Sequence, residues 1–125
     1  MSEASRIYDL CQQIIESIDL IQTWSATIQT PEDFLRSPSN VLIFDACIMR
    51  LQVIGESIKK LDAQPALHLA ENYPNIPWRK IIALRNIISH EYANIDEAII
   101  FAVVKQSLAP LRTTVEQISN QSKSE

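Results

Sequence analysis

The chain has 125 residues, 46% hydrophobic and 21% charged, with a formal net charge of −4. Its length suits one domain with a real core, and its acidic balance excludes a surface that grips nucleic acid by bulk positive charge. A single glycine, Gly55, argues against a β fold, whose tight turns ask repeatedly for positive φ.

An all-α chain is therefore expected, and apolar spacing divides it into helices. Ile7, Leu10, Ile14, Ile18, Ile21 and Ile28 recur near the helical period and predict a long helix from about Glu3 to Thr27. In "TPEDF", Thr30 is placed to cap and Pro31 to take the first helical position, a start signal that Ser37-Pro38 repeats. The helix that follows carries Phe44, Cys47, Leu51, Ile54, Ile58 and Leu61 on one face. Gly55 lies inside it at a cost of ~1 kcal/mol against alanine, which reads as room for another helix to come close. Pro65 opens a short helix ending near Asn72, and the loop "YPNIPW" feeds a fourth helix from about Pro77 to His90.

Asn94, with Glu97 three residues on, reads as a capping box for the last long helix. That helix shows a stripe of Phe101, Val104, Leu108, Leu111, Val115 and Ile118. Pro110 should kink it, because the ring removes a backbone donor and clashes with the carbonyl of Gln106. The expected architecture is an up-and-down bundle of four main helices plus a short one over residues 1–119, followed by a fraying polar tail, 120–125. Cys11 and Cys47 sit at apolar helical positions and read as reduced, buried thiols. No stretch resembles a signal peptide and no apolar run approaches the ~20 residues of a membrane span, so a cytoplasmic protein with no membrane partner is expected.

The fourth helix is the unusual one. Ile81, Leu84 and Ile88 share its core face, while the opposite face mixes Arg79, Asn86 and His90 with Ile82 and Ala83, and Ile87 lies to the side. A helix apolar nearly all round needs a second surface. Two sources fit: a two-fold dimer, or the N-terminal helix of the same chain. Arg85 and His90, five residues apart, point about 140° from one another on an unbroken helix, whereas Asn86 and His90 point together. A joint Arg85/His90/Tyr92 site therefore needs the helix to end near His90, or a second chain to complete it. The chemistry available is an imidazole for proton transfer, a guanidinium that holds phosphate and steadies its developing charge, and hydrogen-bond donors from Asn86 and Tyr92. His68 and His90 stand 22 apart and no cysteine pair has metal-ligand spacing, so no cofactor is expected. The set fits RNA cleavage in which the 2′-hydroxyl attacks its own phosphate. A bland reading stands beside it, in which the arginine and histidine only cap helix carbonyls. Lys59, Lys60 and Arg50 read as solvated charge, His68 as surface, and Trp78 as packing.

Arg85–four residues–His90–one residue–Tyr92 resembles the R-x4-H-x-Y pattern of the HEPN superfamily, in the context of its HepT-type toxin branch. "PEDFL" (31–35), "LQVIGESIKKL" (51–61), "YPNIPWRKIIALRNIISHEY" (73–92) and "VVKQSLAPL" (103–111) resemble family segments in the same order. The resemblance implies a HEPN-like homodimer with a composite cleft, and an RNase toxin acting on RNA without metal. Arg85 and His90 would be catalytic, with Asn86, Arg79 and Tyr92 supporting. It also implies an MNT-type nucleotidyltransferase antitoxin as partner, placing AMP on Tyr92. Where family members often carry Asp, this chain has Glu91. The alternative is a non-catalytic dimeric partner that holds and regulates the nucleotidyltransferase.

Overall fold

The structure is a computed structural model that describes residues 2–124. Residues 1 and 125, the outer ends of the expected domain and tail, lie outside the described residues. Six α-helices follow one another: α1 (Glu3–Trp24), α2 (Pro38–Asp62), α3 (Leu69–Asn72), α4 (Trp78–Glu91), α5 (Glu97–Ala102) and α6 (Leu108–Ser124). Short 3-10 turns occupy Pro31–Leu35 and Tyr92–Asn94. A π-helical segment, Val103–Ser107, welds α5 and α6 into one run. The result is the expected all-α bundle of four main helices plus a short one, with no strand among the described residues.

Local chemistry sets the boundaries. α1 stops at Trp24, short of Thr27: Ser25 leaves helical geometry at φ −93° and ψ 9°, and its hydroxyl donates to the carbonyl of Ile21 at 2.7 Å. Asp33 accepts from the backbone N–H groups of Gln29 and Thr30 and so fixes the turn at Pro31. The Ser37 hydroxyl caps α2 at the N–H of Asn40, 3.1 Å away, with Pro38 at the first helical position as expected. The short third helix is only Leu69–Asn72, because His68 before it adopts a left-handed φ of 47° that helical residues avoid.

The capping of the last run differs from the expected box. Asp96, not Asn94, is the N-cap, its carboxylate accepting from the N–H of Ala98 at 2.9 Å. Asn94 is already used in the 3-10 turn that continues α4. Pro110, expected to kink the run, lies in the first turn of α6, just after the π-helical segment, and offers no N–H to the carbonyl of Gln106.

Ile14, Ile18 and Ile21 from α1 meet Cys47, Ile54, Ile58 and Leu61 from α2 and Ile100, Leu111, Val115 and Ile118 from the last run; all are buried. Phe34 closes one end between Phe44 and Phe101, with ring centroids 4.9 and 6.5 Å away. By length and composition the run Glu97–Lys123 is apolar enough to cross a membrane, contrary to the expectation that no stretch approaches a span. Its apolar stripe lies in this core. The polar tail continues α6, and Gln121 there accepts from the Tyr73 hydroxyl at 3.0 Å.

Candidate functional site

α4 sits on the flank of the bundle, and its main neighbour is α2, not the N-terminal helix. Trp78, Leu84 and Ile88 are its buried residues, and Trp78 also donates from Nε1 to the carbonyl of Tyr73 at 3.0 Å. The two helices touch at the point where the sequence pattern begins. A methyl group on Gly55 would collide with Cβ of Arg85, so the glycine inside α2 is the seat of the arginine on α4.

The guanidinium is then tied at two corners. Nη2 donates to Oε1 of Glu56 at 3.2 Å and Nη1 to Oδ1 of Asn86 at 3.1 Å. Its Nε is enclosed and has no acceptor among the described residues. One turn on, Ser89 donates to the carbonyl of Arg85 at 3.0 Å, and Gln52 of α2 donates to the Ser89 hydroxyl at 3.3 Å. The lower half of α4 is thus pinned to α2 through Gly55, Glu56 and Gln52.

His90 and Tyr92 are placed differently. Both are exposed, Tyr92 at 57%, and the imidazole has no hydrogen-bond partner among the described residues. The helix runs through His90 to Glu91 before tightening into the 3-10 turn. The helix ends near His90 as expected, and through its unbroken run five residues set Arg85 and His90 about 140° apart around the axis. Of the sequence-predicted residues, Arg85 and Asn86 are brought together. Arg79 is exposed in the first turn of α4, about 9 Å of helix rise before Arg85. Glu56 was not singled out from the sequence; its only advance signal was its place next to Gly55.

The outer side of α4 remains apolar. Ile87 is 44% exposed and Ile99 of α5 47%. With Pro77, Ile81, Leu84 and Val103 they line an open groove of about 380 Å³.

Comparison with known proteins bears on this arrangement. The family model described as Ribonuclease HepT-like matches residues 14–118. The chain belongs to the HepT-like ribonuclease family. It is 32% identical over 105 residues to a Methanocaldococcus jannaschii protein named as a gamma-glutamylcyclotransferase and putative RNase, covering 84% of this chain but only 44% of that longer relative. A second protein of that organism, named as a putative RNase, is 28% identical over 100 residues, 78% of this chain and 88% of its own. A probable ribonuclease HepT of Thermococcus cleftensis is 28% identical over 110 residues, 88% of this chain and 93% of its own. No solved structure matches. In this HepT-like chain the family match spans the glycine seat, Arg85, His90 and Tyr92 together.

Proposed function

We propose that this HepT-like chain is the RNase toxin of a toxin–antitoxin module. In this reading it acts in the cytoplasm as a two-fold homodimer that cleaves RNA without metal, silenced by an MNT-type nucleotidyltransferase antitoxin that attaches AMP to Tyr92. One observation carries the nuclease reading: a guanidinium fixed from beneath by Gly55 and Glu56 shares a flank helix with an unengaged imidazole, in a chain of a ribonuclease family. The dimer reading draws its support from Ile87 and Ile99, an apolar surface beside those groups that a second copy would cover. It also answers the divergence of Arg85 and His90, since a neighbouring copy supplies the imidazole that one chain turns away.

The chemistry follows from these parts. The 2′-oxygen of a ribose forms a bond to the adjacent phosphorus, and the bond from phosphorus to the 5′-oxygen breaks. One imidazole accepts the 2′-hydroxyl proton, and that of the other copy, protonated, gives a proton to the leaving oxygen. Arg85 and Asn86 donate to the phosphorane oxygens as charge builds there. The products are a 2′,3′-cyclic phosphate and a 5′-hydroxyl. In the silencing step the Tyr92 phenol oxygen bonds to the α-phosphorus of ATP held by the transferase, and pyrophosphate leaves. The exposure of Tyr92 supports that access, and the added charge would repel an RNA phosphate.

The test is expression of the chain alone, followed by assay of the purified protein in EDTA. Growth arrest and RNA cleavage are expected. Arg85→Ala and His90→Ala should each lower the rate by about 10²–10⁴-fold while the dimer persists in sedimentation. Intact RNA in the presence of soluble dimer sinks the nuclease reading. The tie between Arg85 and Glu56 occupies one corner of the guanidinium in a single chain and also suits the alternative of a non-catalytic partner of the transferase; that reading predicts no arrest with transferase binding intact. Mass spectrometry after co-expression with the transferase should find AMP on the chain and none on Tyr92→Phe.

A further inference from the structure

Beside Arg85 lies a second open groove, of about 480 Å³, lined by Glu56, Lys59, Lys60, Ala63 and Arg85. Lys59 and Lys60 belong to the last turn of α2 and are exposed. Neither ammonium has a carboxylate within ion-pair distance among the described residues. The negative end of the helix dipole accounts for a lysine in that turn. It does not account for two lysines lining the same hollow as Arg85. In a chain of net charge −4, this groove sets three cations against one carboxylate, and that carboxylate is already engaged by Arg85. The local balance is the reverse of the global one, as a site for a polyanion requires. A hollow of this size admits a phosphate with its ribose.

We infer that Lys59 and Lys60 form a subsite for an RNA backbone phosphate next to the one held at Arg85, so that the strand tracks from the motif helix onto the C-terminal turn of α2. The inference rests on the nuclease reading and extends it. The lysines are positioning residues: they touch a phosphate that does not react, so they govern affinity and its salt dependence rather than bond breaking. This also reconciles an acidic protein with an RNA substrate, because the contact is local.

The test uses His90→Ala protein, expected to cut RNA far more slowly while still holding it, and a fluorescent single-stranded RNA of about a dozen nucleotides. Affinity is read by anisotropy across a series of salt concentrations. Each phosphate contact contributes about 0.7 to the log–log salt slope for a single strand. Adding Lys59→Gln or Lys60→Gln should reduce the slope by about 0.7 each, and by about 1.4 together. Arg36→Gln, at the opposite end of α2 and 66% exposed, should leave the slope unchanged. Circular dichroism should show unaltered helices, since both lysines are exposed. An unchanged slope in the double variant, or an equal fall in Arg36→Gln, overturns the subsite and leaves the nuclease reading standing. Absence of any RNA binding by His90→Ala protein at low salt removes both.

Discussion

α1 and α4 are both amphipathic helices of one bundle, but they spend their apolar residues differently. α1 buries Ile14, Ile18 and Ile21 completely and contributes none of the exposed large apolar side chains. α4 buries three residues of fourteen and leaves Ile87 in the open. Beside those three, what fixes α4 is a glycine contact and a short chain of polar bonds to α2. One helix holds the fold together; the other is held by it, and presents its polar groups and spare apolar surface outward.

Paired substitutions put that contrast to the largest test. Ile18→Ala should cost about 2–5 kcal/mol of folding stability, through lost burial and the cavity left behind. Ile87→Ala should cost less than about 0.5 kcal/mol, yet weaken the proposed dimer toward monomer. Urea unfolding read alongside sedimentation velocity checks both halves. A stable Ile18→Ala, or an Ile87→Ala dimer as tight as the parent, breaks the division of labour.

The same core shields its thiols. Burial pushes Cys11 up to about 12 and Cys47 up to about 11, the latter against a smaller opposing pull from Lys105. At about pH 8 an ordinary thiol is partly thiolate, so both cysteines should alkylate roughly a hundredfold or more slowly than a model thiol. Iodoacetamide labelling followed by mass spectrometry, with and without urea, measures it. Rapid labelling of either residue in the folded protein would show the core open.

Much of this was legible in the sequence, because helical periodicity in a glycine-poor chain has few other readings. The stripes of α1, α2 and α6 and the proline start signals follow from local chemistry. So did the role of Gly55, since a helix tolerates an interior glycine where another backbone comes close. Partners brought from afar were not legible. Glu56 reaches Arg85 across 29 positions, and no local pattern marks it as the partner of a residue on another helix. The cap of the last run was misplaced for a narrower reason: Asn94 and Asp96 are two residues apart and both can cap. The 3-10 continuation of α4 removes the first from contention.

Gly55→Ala tests the seam between the two regions with a smaller effect. Alanine gains up to about 1 kcal/mol of helix propensity. Its methyl, however, meets Cβ of Arg85, which cannot turn aside without moving α4. Overpacking of this kind typically costs about 1–3 kcal/mol, so the clash should win, with a net loss of up to roughly 2 kcal/mol. The Arg85–Glu56 tie should loosen with it, lowering RNA cleavage more than stability. A variant as stable and active as the parent would mean that α4 yields freely and that the glycine has no part in the site.

The smallest effect belongs to the strap between α1 and α6. Arg112 grips Asp19 with Nε at 2.7 Å and Nη2 at 3.1 Å, and reaches Glu116 at 2.8 Å. The hydrogen bond from Arg112, aided by its charge and opposed by slight desolvation, holds the Asp19 carboxyl below its usual range. A carboxyl depressed in the folded state adds stability above its unfolded pKa of about 3.9, and that contribution fades as pH falls through the lower folded value. Both partners are well exposed, so solvent screening limits the contribution to less than about 1 kcal/mol. Asp19→Asn should therefore be slightly less stable than the parent at neutral pH and converge with it below about pH 4. Urea midpoints taken across that range decide the matter. A gap that persists unchanged into acid would assign the effect to packing between α1 and α6 rather than to charge.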